Sequence, residues 1–161
     1  MSRRKLRIVD VLVALTVIGI ALFVVLGPVS DNPPPTHAQY AAKANKVCSD
    51  IEEEQAHLDN TIFKGIPFDK SPPPALYAKY VRAIIPTFER QLATLRKITP
   101  PKGDEAKLER YFRATQDALA VLREVAADPR KVHVLVETDV FLAADKAARN
   151  YGLLACGHAE D

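Results

Sequence analysis

The chain has 161 residues, enough for one ordinary domain and an appendage, with 22 Lys and Arg, 20 Asp and Glu, two cysteines and a formal net charge of +2. That excess is local: residues 31–161 hold 18 basic residues (22 less the four in the first seven) and 19 acidic ones (20 less Asp10), a net of −1. A near-neutral, mixed surface argues against nucleic acid as a partner and offers acidic lipid no electrostatic hold.

The first seven residues, MSRRKLR, form a basic tail, and an apolar run follows in which Asp10 is the sole ionisable group from Ile8 to Leu26. Nineteen helical residues reach roughly 28 Å, close to the hydrocarbon thickness of a bilayer. Asp10 falls in the first turn, where it can meet interfacial water or the basic cluster. The expectation is a transmembrane signal-anchor helix over residues 8–29, with residues 1–7 cytoplasmic and everything beyond translocated. A cleaved signal peptide fits less well. The run is longer than the usual 7–15 residues, Pro28 occupies the region where cleavage would fall, and no lipid-accepting cysteine follows.

Residues 30–36, SDNPPPT, read as a stiff, extended linker. Four stretches with helical periodicity come next. The first, from about His37 to Asn60, sets Tyr40, Ala44, Val47, Ile51 and Leu58 on one stripe. After TIFKGIPFDKSPPP, Ser71 reads as an N-cap with prolines in the first turn. The second helix then runs to about Ile98, turning Tyr77, Val81, Ile84, Phe88, Leu92 and Leu95 inward. Pro86 falls on its outer face and predicts a bend without a break.

Asp104 is a plausible cap for the third helix, whose inner face carries Leu108, Phe112, Thr115, Leu119, Leu122 and Ala126. Asp128-Pro129 stops it. The fourth is expected as one helix from about Lys131 to Tyr151, with Val132, Val136, Val140, Ala143 and Ala147 as its seam and Gly152 as its C-cap. Nothing alternates as a strand would. The fold class expected is all-α: the membrane helix, then an antiparallel up-down-up-down four-helix bundle over residues 37–161.

Beyond the membrane, Cys48 and Cys156 should be oxidised, and two cysteines allow one intramolecular bridge. In such a bundle the last helix lies beside the first, and a tail folding back from Gly152 could carry Cys156 to Cys48 while Leu153 and Leu154 cap the core. A disulfide is the favoured reading. The sharper alternative joins Cys48, Cys156 and His158 as ligands of zinc or copper, although neither local spacing matches a common closed metal motif. A reactive thiol would ask for a Cys-x-x-Cys partner, which is missing.

The remaining constellations are weak. Glu54-Gln-Ala-His57 has the spacing of a ligand pair, but a carboxylate-bridged di-iron bundle needs a second such pair, and His57 lies off the apolar stripe. His37, His133 and His158 are not placed to ligate haem from opposite sides. Neither a Gly-x-Ser-x-Gly element nor a Gly-rich phosphate loop occurs in the sequence. No catalytic, cofactor or metal residue is therefore assigned. Two surface features stand out. The first helix is acidic from Asp50 to Asp59 while the second carries Lys79, Arg82, Arg90, Arg96 and Lys97, which predicts charge complementarity between neighbours or a bipolar surface for a partner. Leu135 and Leu142, two turns apart on the polar side of the fourth stretch, are a candidate partner surface, or core if the loop from Thr61 to Ser71 covers them.

YAAKANKVCSDIEE in the first helix and ARNYGLLACG at the end resemble small, secreted or single-pass-anchored helical proteins of actinobacteria. Those place an Ala-Asn-x-x-Cys-like element early and a Tyr-Gly-x-x-x-Cys-Gly-like element late, here Ala44, Asn45, Cys48 and Tyr151, Gly152, Cys156, Gly157. The resemblance implies a helical bundle bridged between the two cysteines and brings no activity with it. The functional expectation is a membrane-anchored extracytoplasmic domain that binds or scaffolds an unidentified cell-envelope protein. The rival is a small-ligand or metal carrier using the bundle interior, with His57, His158 and the cysteines as donors; an enzyme ranks third.

Overall fold

Local chemistry sets where each helix begins and ends. In the computed structural model the described residues are 33–67 and 70–157. The basic tail, the 8–29 span, Phe68 and His158 lie outside them, as does the side chain of Val136. Among the described residues, no helix is long and apolar enough to cross a membrane.

Helix α1 spans His37–Ile62 and opens with a capping box. The Thr36 hydroxyl accepts from the Gln39 N–H at 3.2 Å and the Gln39 side chain accepts from the Thr36 N–H at 2.9 Å, satisfying two donors that a helix start leaves over. Helix α2 spans Pro74–Leu95 and its N-cap is Pro73, with no side-chain cap. The expectation that Ser71 caps it is therefore wrong. A residue that precedes proline is pushed out of the α region, so the helix waits for the last proline of the run. Helix α3 spans Glu105–Ala127, with Asp104 at the N-cap position but its side chain turned elsewhere.

The expected fourth helix is broken. A 3₁₀ turn, Pro129–Val132, leads into a short α4, His133–Glu137, and the chain then leaves helical geometry before α5, Leu142–Tyr151. Thr138 is extended, at φ −132° and ψ 125°. Asp139 accepts the Phe141 N–H at 3.1 Å through its side chain. Thr-Asp-Val supplies β-branched residues on either side of an aspartate that bonds its own backbone, a combination that competes with helix continuation.

Long-range pairs give the helix directions. Cys48 meets Gln91, and Glu54, six residues further on, meets Thr87 and Arg90. Arg82 meets Ala126, Glu89 meets Arg123 and Arg96 meets Gln116. Both sets descend on one helix as they ascend on the other, so α1 and α2, and α2 and α3, are antiparallel neighbours. Helix α5 packs on α3, and the final 3₁₀ turn, Leu154–Cys156, packs on α1.

The core takes Tyr40, Ala44 and Cys48 from α1, the Val81–Leu95 stripe from α2, and Ala144, Ala148 and Tyr151 from α5. Helix α3 is covered by both α2 and α5. Its buried face consequently widens beyond the expected stripe to take in Tyr111, Ala118 and Val125. Pro86 is exposed inside a continuous α2. Its missing N–H and ring face away from the packed side, so the helix accommodates it.

Candidate functional site

The two short elements singled out at the ends of the domain meet in space. Helix α5 ends at Gly152, which adopts φ 84°, the left-handed conformation that a side chain disfavours. The Gly152 N–H donates to Arg149 O and the Leu153 N–H to Ala148 O, each at 2.9 Å, the paired bonds of a Schellman stop. This reversal drives Leu153 into the core, where it is fully buried, while Leu154 stays outside at 69% exposure. The two leucines were expected to cap the core together. A tight turn cannot point neighbours the same way.

Asn45 then fastens the returning tail. Its amide nitrogen donates to Gly152 O at 3.3 Å and its oxygen accepts the Ala155 N–H at 3.0 Å. One helical turn on, Cys48 is joined to Cys156 by a disulfide with Cα atoms 5.1 Å apart. Cys48 is fully buried, whereas the helical stripe alone placed it at the edge. The buried Gln91 amide donates to Cys48 Sγ at 2.9 Å. Gly157 completes the clasp: a Cβ there would lie 3.1 Å from the Asp145 carbonyl oxygen, so glycine lets the tail press on the α5 backbone.

Beside the clasp, a polar hub ties the start of α1, the start of α3 and the end of α5. The Tyr151 hydroxyl donates to Asp104 Oδ2 at 3.0 Å, His37 Nδ1 lies 3.1 Å from the same oxygen, and Lys107 Nζ lies 2.8 Å from Oδ1. A carboxylate only accepts, so the histidine bond requires a proton on Nδ1. The Lys107, His37 and Tyr151 bonds hold the Asp104 carboxyl well below the usual range. Burial, and then the bond to Asp104, push the Tyr151 hydroxyl above its ordinary value. The ring of Tyr151 also packs on His37 at 4.4 Å and edge-on to Tyr40 at 5.8 Å. Asp104 thus works as a tertiary anchor where the sequence suggested a helix cap.

The other expected positions divide. Leu135 and Leu142 do not share a helix face, because the Thr138 break separates them: Leu135 packs against the core and Leu142 is 36% exposed. Phe63, from the loop expected to cover them, packs on Tyr77 and Tyr80 of α2 at 5.9 and 5.0 Å. Glu54 takes Arg90 (2.6 Å) and Thr87 (3.2 Å), leaving its supposed partner His57 exposed. Of the other basic residues of that stretch, Arg82 and Arg96 reach α3: Arg82 donates to Ala126 O at 2.6 Å, and Arg96, just past the end of α2, lies over the Phe112 ring at 5.1 Å. Among the described residues, no group of three or more His, Cys, Asp or Glu could hold a metal ion.

Two of the concavities among the described residues are lined by helix faces of the bundle. One, about 220 Å³, lies between Tyr40 and the α2–α3 turn, with Leu95, Ile98, Leu108 and Phe112 as its apolar wall and Arg96 beside it. The other, about 480 Å³, is a groove between α3 and α5 with an alanine-rich floor and arginines on its rim. Comparison with family models, curated proteins and solved structures finds no significant match.

Proposed function

We propose that this chain is a membrane-anchored, extracytoplasmic protein-binding or scaffolding module: a four-helix bundle with a broken fourth helix, held in the bilayer through residues 8–29. The observation that carries the reading is the clasp. A disulfide that closes 108 residues of sequence and sits on a buried helix face belongs to an oxidising compartment. Its two thiols are consumed by the bond, which removes them as ligands for the metal-carrier rival. Every buried side-chain N or O atom among the described residues has a hydrogen-bond partner, so the core has no polar group awaiting a ligand. What remains for recognition is the outer surface, with its acidic α1 face and the α3–α5 groove. The similarity to small anchored actinobacterial helical proteins belongs to the same proposal.

The test is crosslinking on intact cells that express the full chain, followed by membrane washing at alkaline pH. The expected result is a full-length, wash-resistant protein carrying a specific envelope partner. Recovery of a shortened, freely released chain removes the anchor. Specific recovery of no protein at all removes the binding module and favours the small-ligand rival, whose place is the apolar concavity beside Arg96.

A further inference from the structure

The groove between α3 and α5 carries a pattern that its floor alone does not explain. On α3, Arg110, Ala114, Asp117 and Val121 follow at steps of four, three and four residues, so they lie on one stripe of the helix. Val140, Ala143 and Ala147 form the facing wall. Arg110 and Asp117 are both exposed, and neither enters an ion pair or side-chain hydrogen bond among the described residues. Arg113, by contrast, is held by Glu109 at 3.4 Å.

We infer that a second copy of this chain docks here, α3 against α3, antiparallel about a two-fold axis at Ala114. The argument is charge complementarity. Arg110 and Asp117 carry opposite charges and stand almost equally far on either side of Ala114, each about 5 Å along the axis at a rise of roughly 1.5 Å per residue. Turning a second α3 end for end places each Arg110 over the other copy's Asp117, forming two identical ion pairs at once. Alanine at the crossing lets the helix axes approach to about 8 Å, the close end of the usual range. The small residues Ala143 and Ala147 then leave room for the incoming helix beside α5. The same patch serves both copies, so the contact closes on itself and does not propagate. A foreign partner would have to reproduce this palindrome by coincidence. The inference goes beyond the binding-module reading and does not depend on it, since it concerns purified protein.

The experiment is sedimentation equilibrium on the full chain in detergent, where the anchors impose no common orientation. Arg110→Asp, Asp117→Arg and the double variant are compared with the parent, and circular dichroism confirms that each is folded. The parent is expected to dimerise. Each single variant brings two like-charge pairs together and should raise the dimer Kd by about tenfold or more, and the double variant should restore it. A disulfide-linked dimer from Ala114→Cys, with none from Lys79→Cys on the exposed side of α2, would place the axis. A parent monomeric at all concentrations, a dimer indifferent to the three variants, or single-variant losses that the double variant does not repair would each overturn the proposal.

Discussion

At the scale of single residues, Asn45 and Asp104 do more than their positions in the sequence suggest. Asn45 saturates one donor and one acceptor of a returning tail, both part-buried. Asn45→Ala should therefore destabilise the domain by about 1–3 kcal/mol, because the Gly152 carbonyl and Ala155 N–H lose their partners together. Urea unfolding measures the loss, and hydrogen exchange should localise it to residues 152–157. Asp104 predicts a pH dependence. Its folded carboxyl is held below the unfolded value, so its contribution is fully present above about pH 4, the ordinary aspartate range, and is lost as the pH falls through the lower folded value. Thermal melts between neutral and strongly acidic pH should decline in the parent. In Asp104→Asn the decline should be shallower, from a lower starting stability at neutral pH.

At the scale of elements, the break between α4 and α5 changes what the fourth stretch can present. A continuous helix would have set Leu135 and Leu142 on one face. Instead Leu135 packs with the core, and Leu142 opens α5 at the surface. The two positions should accordingly respond differently. Leu142→Asp should alter stability by less than about 0.5 kcal/mol, as surface changes commonly do, whereas Leu135→Asp should destabilise by about 1–3 kcal/mol through desolvation of a charge. Equal effects in denaturant titration would show that the break does not separate the two positions. The periodicities of α1, α2 and α3 were legible from the sequence because one face of each is repeatedly apolar. The break was not, because it arises from Asp139 bonding the local backbone beside the extended, β-branched Thr138, within an otherwise periodic pattern.

For the whole molecule, the disulfide is the one covalent tie between the first helix and the tail. Its removal by Cys48→Ser with Cys156→Ser, or by reduction, enlarges the unfolded ensemble across a separation of 108 residues. The loop-closure argument puts the loss at up to about 5 kcal/mol, a large share of the 5–15 kcal/mol that holds a typical domain. The reduced protein should unfold at markedly lower denaturant. Residues 153–157 should become the first site of proteolysis, because only non-covalent contacts, the burial of Leu153, the Asn45 bonds and the packing of Gly157 on α5, then retain the tail. An unchanged midpoint would mean that those contacts suffice without the bridge.

Composition and periodicity by themselves determined that the domain is helical, which faces of the first three helices are apolar, and that Gly152 ends the last one. These are properties of short windows, where side-chain spacing and backbone preference act over a few residues. Only the tertiary structure decided that Cys48 is buried, that Asn45 receives the tail, and that Asp104 binds across helices. It likewise decided that Gly157 must be small and that Arg110 and Asp117 flank an open groove. Each of these depends on which segments come within a few ångströms after the chain reverses direction. Such proximity is set by packing many side chains at once, and one strand of sequence carries no local record of it.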